Sequence, residues 1–193
     1  KVGTFSEYAC VSEQSIIKVE KDIPLECVAL VSCGVATGWG SAANRAGTQP
    51  GDTVIVVGIG GIGMNAVQGA RMSYGQMADR VIMTPGVLHG EMMGEAMNLA
   101  GKGSTVVVTA ISPMTSETAS VNLFNLAMWN KEIKGTIFGS LNPRADIPAL
   151  LDMYRAGQLK LDELISKTYT LDQINEGYEA MRDGTNIRGV ILK

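Results

Sequence analysis

Hydrophobic positions change period several times along this chain, and the changes mark out its elements. Thr53-Val-Ile-Val-Val57 is an unbroken run of mostly β-branched residues. Such a run predicts a parallel strand covered on both faces. Arg80-Val-Ile-Met-Thr84, Ser104 to Ala110 and Glu132 to Gly139 read as further strands. Helices are predicted from Gly63 to about Arg71 and from about Gly90 to Ala100, with a polar loop at 111–120 and an apolar stretch from Val121 to Asn130. This alternation is the pattern of a doubly wound parallel sheet, an α/β fold. Upstream, residues 1–22 alternate in the period of two, so Thr4 to Val11 and Ser15 to Val19 predict strands. Pro24 to Ala46 predicts a helix, with proline tolerated in the first turn. Downstream, Asp146 reads as the cap of a helix striped by Ile147, Leu150, Leu151 and Tyr154 and stopped at Gly157. Thr170-x-x-Gln173 is a capping box for a helix carrying Ile174, Tyr178 and Met181, with Gly184 as its stop. Arg188 to Leu192 reads as the last strand.

The first strand runs into Gly58-Ile-Gly60-Gly61-Ile62-Gly63. Gly58, Gly60 and Gly63 fall in the G-x-G-x-x-G spacing. The first glycine permits a tight turn, the second lets backbone approach a pyrophosphate, and the third lets helix pack close to strand. The helix that follows presents free N–H groups and a partial positive charge to an anion. A dinucleotide fold also needs an acid at the carboxyl end of the next strand, about 20 residues on. By count that is Asp79, but Asp79 precedes its strand and reads as an ordinary turn acid. The link from Arg71 to Asp79 cannot hold a strand, a helix and two turns. One strand–helix unit is therefore expected to be missing, with a break in chain spacing between about Ala70 and Gly75.

Composition narrows the class. The chain is 46% hydrophobic and 18% charged, as globular proteins are. A net charge of −3 and a pI near 5.2 argue against a nucleic-acid partner or an anionic membrane surface. No apolar run approaches the length of a bilayer span. Lys1 opens the sequence without an initiator Met or a signal peptide, which reads as a processed or partial product. Cys10, Cys27 and Cys33 are odd in number and lack C-x-x-C spacing, so they read as reduced, cytoplasmic thiols.

Cys33-Gly-Val-Ala-Thr37-Gly-Trp-Gly40 is the second informative stretch. Taken alone, a cysteine in an apolar helix is a small hydrophobe. The run from Pro24-Leu-Glu to Ala43, with the glycine motif after it, resembles the zinc-dependent medium-chain alcohol dehydrogenases. So do Ile133-Lys-Gly-Thr-Ile-Phe-Gly139, Gly157-Gln-Leu-Lys-Leu-Asp-Glu-Leu-Ile165 and Ile174-Asn-Glu-Gly-Tyr178 with Met181-Arg182, Gly184 and Ile187-Arg188. The tail is most similar to the actinobacterial, NAD-dependent branch, which includes members that hold NAD tightly and reoxidise it with an artificial acceptor.

The resemblance implies an enzyme that oxidises a primary alcohol to an aldehyde, with zinc and NAD as cofactors. It makes Cys33 a zinc ligand and Thr37 a nicotinamide contact, the two residues closest to the chemistry. It sets Gly58, Gly60, Gly61, Ile62 and Gly63 at the pyrophosphate, with Arg188 assisting. Thr84, Ala110 and Phe138, near strand carboxyl ends, become candidate walls of the cofactor pocket. It divides the chain into a remnant of a GroES-like catalytic domain (1–30), a Rossmann dinucleotide-binding domain (31–165) and a returning C-terminal segment (166–193). It also implies a homo-oligomer, dimer or tetramer, joined through Val121 to Gly139 with Phe124, Leu126, Met128 and Trp129.

Two departures accompany it. A catalytic zinc takes three protein ligands, and the sequence offers Cys33 and one histidine, His89, which reads as a surface or capping residue. The ribose-binding acid is missing. The alternatives are a zinc-free, quinone-reductase-like enzyme on the same fold, or a non-catalytic nucleotide-binding or assembly module.

Overall fold

The computed structural model describes Phe5, residues 8–70 and residues 78–192. The chain forms two compact units, residues 32–141 and residues 1–31 with 142–193.

In the first unit, β1 (Val54–Val57), β2 (Ala78–Met83), β3 (Ala100–Val108) and β4 (Glu132–Gly135) form one sheet in the order β1-β2-β3-β4. Every pair is parallel, with Val56 opposite Ile82, Ile82 opposite Val107, and Val107 opposite Lys134. Alternation sends Val54, Val56 and Ile82 to one face, where Ala66 of α3 (Gly61–Ala70) packs with Ala42. Ile55, Val57, Val81, Met83 and Val106 go to the other face, against Met93, Ala96 and Met97 of α4 (Gly90–Leu99). Val81, Ile82, Val106 and Val107 have no exposed surface. The apolar runs thus read as strands because both faces are covered.

The connections carry more information than the strands. β1 to β2 and β2 to β3 step in the same direction across the sheet, with α3 and α4 on opposite faces. Two such crossovers have opposite hands. Parallel crossovers are right-handed in about 98% of cases, so β1 and β2 are not successive strands of a complete doubly wound sheet. This is the geometry left when a strand–helix unit is taken out after α3. The expected break between Ala70 and Gly75 falls, from Arg71 on, outside the described residues.

Several predicted boundaries move. The strand expected to reach Gly139 stops at Gly135, because Phe138, Gly139 and Ser140 have φ of 55°, 66° and 55°. A left-handed backbone cannot continue a strand, and a 3₁₀ turn, Phe138–Ser140, follows instead. The expected apolar stretch holds a short helix, α5 (Leu123–Met128), capped by Asn122.

The predicted helix from Pro24 is present. It runs as α1 (Leu25–Leu30), a π turn (Val31–Val35), α2 (Ala36–Gly40) and a second π turn (Ser41–Arg45). The expectation that nothing approaches a bilayer span needs correction here. Leu25–Arg45 is 21 residues long with a mean hydropathy of 1.3, enough by length and composition. Small residues joining two apolar stretches hide the run from a residue-by-residue reading. Some 61% of its apolar window is buried inside the fold, as in a core helix.

The second unit contains α1, α6 (Pro143–Arg155), β5 (Ile165–Tyr169), α7 (Ile174–Arg182) and β6 (Arg188–Ile191). β5 and β6 pair in parallel as a two-stranded sheet. The cap of α6 is Asn142, not Asp146, and the Asn142 side chain accepts from the Arg144 N–H. Asp146 instead accepts the Asn142 N–H at 2.6 Å. The predicted capping box is present, with Gln173 accepting the Thr170 N–H at 3.1 Å. The strands expected in residues 1–22 do not form among the described residues, which hold a 3₁₀ turn at Glu13–Ser15. An alternating pattern makes a strand only where a neighbour supplies the ladder.

Candidate functional site

Outgoing connections leave β1 and β2 for opposite faces, so a crevice opens between the carboxyl ends of these two strands. Such a switch point is where α/β sheets bind ligands. Thr84 closes its floor. The Thr84 N–H donates to the Val57 carbonyl at 2.8 Å, and Thr84 Oγ1 donates to the Gly58 carbonyl at 2.6 Å. Thr84 is buried and bound to backbone, so it shapes the crevice with its main chain and methyl group.

The three motif glycines have different reasons to be glycine. Gly58 has φ 92°, and a Cβ there would lie 2.8 Å from the Thr84 carbonyl oxygen. A Cβ on Gly63 would run into the Gly58 carbonyl oxygen. Both are fixed by the protein itself. Gly60 is exposed, and a Cβ there would meet nothing within 4 Å. No internal contact accounts for it, and it borders open space. Gly61, Ile62 and Gly63 form the first turn of α3, where backbone N–H groups lack intrahelical partners. The first helical bond seen is from the Met64 N–H to the Gly60 carbonyl at 2.9 Å. No acidic residue lies in that turn, so its dipole is not neutralised locally. The crevice is chemically a seat for an anion.

A second constellation links α2 to the end of β3. Ser41 Oγ donates to the Thr37 carbonyl at 2.6 Å and lies 2.8 Å from Thr109 Oγ1, all buried. The Thr109 and Ala110 N–H groups both donate to the Met83 carbonyl. Ala110 packs against the core cluster on the α4 face. Sequence reading named Thr37 and Ala110 but missed Ser41 and Thr109. The available signal was a hydroxyl residue closing a buried strand, where polar side chains must find partners.

The remaining candidates are more scattered. Cys33 is exposed in the first π turn, four residues before Thr37. π turns inside α-helices occur frequently at functional sites. Phe138 is half-buried in its 3₁₀ turn. Arg188 opens β6 in the other unit, its N–H facing Ser166 Oγ at 3.4 Å. His89 stands at the N-cap of α4 without a side-chain capping bond. All three cysteines are free; Cys27 is buried and meets Tyr154 and Asp162. Among the described residues no three His, Cys, Asp or Glu side chains gather as metal ligands. Among the described residues Cys33 is therefore not joined by the companions a catalytic zinc requires.

No family model matches the chain. It is 40% identical to the NDMA-dependent alcohol dehydrogenase of Amycolatopsis methanolica, over 99% of this chain and 62% of that protein. It is 39% identical to alcohol dehydrogenase B of Mycobacterium tuberculosis, over 98% and 62%. It is 32% identical to alcohol dehydrogenase 6 of Peromyscus maniculatus, over 98% and 61%. The chain thus spans under two thirds of the curated relatives it matches. The first alignment runs over 232 residues, although this chain has 193. The alignment therefore includes positions of the relative that have no counterpart in this chain. Among solved structures, benzyl alcohol dehydrogenase from Acinetobacter calcoaceticus superposes with a TM-score of 0.84 at 21% identity, covering 91% of this chain and 59% of that one. Butanediol dehydrogenase from Bacillus subtilis gives 0.81 at 20%, covering 99% and 64%. These likenesses establish the fold, a partial α/β fold with a parallel sheet.

Proposed function

We propose that this chain is the nucleotide-binding part of a zinc-dependent medium-chain alcohol dehydrogenase of the actinobacterial type, cytoplasmic and NAD-dependent, acting on a primary alcohol or its aldehyde. The observation that carries the reading is Gly60, a motif glycine whose missing side chain opens onto the crevice. Similarity to alcohol dehydrogenases across nearly the whole chain supports the reaction class.

In this reading the crevice orients the cofactor. N–H groups of Gly61, Ile62 and Gly63 would hold the pyrophosphate, and Gly60 would let backbone approach it. Thr84 sets the width between β1 and β2. The Ser41–Thr109 pair holds the Thr37 backbone, and Thr37 would face the nicotinamide with Ala110 and Phe138 as walls. For Arg188 the phosphate role rests on the resemblance alone, which assigns its fork-shaped cation to phosphate oxygens. NAD, when bound, supplies the hydride acceptor. Cys33 would be the sulfur ligand this site offers to zinc. The described residues do not complete the ligand set, so no step here runs through the metal. Metal analysis of the whole polypeptide separates this reading from a zinc-free reductase.

Gly60→Val tests the reading. It should raise the NAD dissociation constant at least about tenfold, or 1.4 kcal/mol, and leave the thermal midpoint unchanged, since nothing lies within 4 Å to clash. Unchanged affinity would remove the dinucleotide assignment.

Assembly belongs to the same reading. β4 is an edge strand. Beside it Leu123, Phe124, Met128 and Ile137 are largely exposed, whereas Leu126 packs on the core and Trp129 lies under Lys131 at 4.7 Å. An unpaired edge with an apolar flank favours pairing with a second copy. Phe124→Glu should shift a dimer toward monomer in sedimentation velocity; a monomer before substitution excludes the contact.

A further inference from the structure

The Ser41–Thr109 pair belongs to a longer chain of hydrogen bonds. A carbonyl oxygen only accepts, so the single Ser41 hydroxyl hydrogen goes to Thr37, and Thr109 Oγ1 must donate to Ser41 Oγ. Thr109 is tied in turn to β2, where its N–H donates to the Met83 carbonyl at 3.1 Å. The next residue, Thr84, donates to both Val57 and Gly58. The links run without a gap from Gly58, at the anion seat, across the carboxyl ends of β1, β2 and β3 to Thr37 in α2.

Main chain holds α2 a second time. A Cβ on Gly38 would run into the Ile62 carbonyl oxygen in the first turn of α3, and a Cβ on Gly139 would lie 2.6 Å from the Ala36 carbonyl oxygen. These contacts limit how closely α2 approaches its neighbours. They do not fix its direction, which the hydroxyl chain does, because hydrogen bonds weaken steeply away from linear geometry. Nor does cover demand two buried hydroxyls, since an apolar pair of the same shape can be nearly neutral there. All these residues lie in the sheet unit. We infer that Ser41 and Thr109 are positioning residues of the dinucleotide site: their hydroxyl chain sets Thr37 at a fixed span from the phosphate seat, and governs the hold on the nicotinamide nucleotide but not on the phosphates. The inference rests on the dinucleotide reading above, which gives Thr37 its place beside the nicotinamide.

Calorimetric titration of the chain with NAD and with inorganic pyrophosphate tests it. Ser41→Ala and Thr109→Val should each raise the NAD dissociation constant about tenfold and leave that of pyrophosphate within about twofold. Thr109→Ser keeps the hydroxyl and should bind NAD as wild type does. The double variant Ser41→Ala/Thr109→Val should lose about as much as either single change, because its two residues act as one unit. Should Ser41→Ala fail to fold, Thr109→Val against Thr109→Ser decides alone. Unchanged NAD affinity in the hydroxyl-free variants overturns the inference. So does an equal fall for NAD and pyrophosphate, which would mean a general loosening, or a Thr109→Ser as weak as Thr109→Val. Losses that multiply in the double variant, or a wild type that binds NAD but not pyrophosphate, overturn it too. In each of these cases the dinucleotide reading stands. If wild type binds neither ligand, that reading itself fails and the inference falls with it.

Discussion

The sheet unit and the second unit are built from similar side chains but bury them unequally. In the sheet unit the central strands are sealed by helices on both faces, and Val81, Ile82, Val106 and Val107 are wholly buried. In the second unit α7 has an apolar stripe yet no buried residue, and Met181 is 59% exposed. That stripe borders an apolar groove of about 690 Å³ lined by Leu30, Tyr169, Leu171, Tyr178, Met181 and Val190. Its sheet has two strands, a number that is marginal without further cover. Amphipathic periodicity fixes which side of a helix seeks burial. It does not provide the surface that buries it.

Backbone crowding gives the sharpest way to break this comparison. Gly63→Ala in the sheet unit forces a Cβ into the Gly58 carbonyl, which is main chain and cannot swing aside. We expect a loss of at least about 3 kcal/mol, the upper part of the overpacking range. Gly184→Ala in the second unit meets open space and is strained only by its φ of 67°, which costs about 1–2 kcal/mol. Urea denaturation measures both. Equal losses would mean that the sheet unit is no more rigid than its companion.

Thiol chemistry resolves the contrast at finer scale. Cys10 and Cys33 are exposed, whereas Cys27 is fully buried beside Tyr154 and Asp162, and burial pushes its thiol pKa up. A maleimide should therefore label Cys10 and Cys33 first. Cys27 should label later, but before the β2 and β3 amides exchange, because its unit opens locally at lower cost. Tyr154 Oη donates to Asp162 at 2.9 Å. Tyr154→Phe removes about 1 kcal/mol of that restraint and should speed Cys27 labelling about fivefold. Simultaneous labelling and amide exchange would show one cooperative body instead.

These differences also explain what was legible in the sequence. The runs at Val54, Val81 and Val106 were readable because burial on both faces leaves no polar alternation. The glycine turn was readable because Gly58 and Gly63 answer local steric demands, and the spacing between them singles out Gly60. Residues 8–22 were misread because an alternating pattern says nothing of whether a neighbouring strand exists. Asp146 was taken for the cap because a carboxylate before an apolar stripe is a frequent cap, but Asn142 bonds the Arg144 N–H and starts the helix earlier. The Ser41–Thr109 pair joins residues 68 apart, a distance no local pattern spans. The roles given to Cys33 and Thr37 rest on resemblance alone, since an isolated thiol in a helix has no chemistry of its own.

The smallest expected effect compares one ion pair from each unit. Arg80–Asp52 in the sheet unit has both side chains 18% exposed, whereas Asp22, facing Arg155, is 65% exposed. Solvent screens the second pair far more, so Asp52→Asn should destabilise more than Asp22→Asn at neutral pH. The pH profile of Asp22→Asn then isolates the weaker pair. The Arg155 guanidinium grips both Asp22 oxygens, at 2.6 and 3.0 Å, and holds that carboxyl below its usual pKa. A carboxyl depressed in the folded state adds stability above its unfolded pKa, near 3.9, and loses it as pH falls through the folded value. Wild type should therefore exceed Asp22→Asn slightly at pH 7, and the gap should close on acidification below about pH 4. It should also shrink with added salt at pH 7. A gap that persists in acid would trace to packing around Asp22, and the pair would then contribute no charge-dependent stability to its unit.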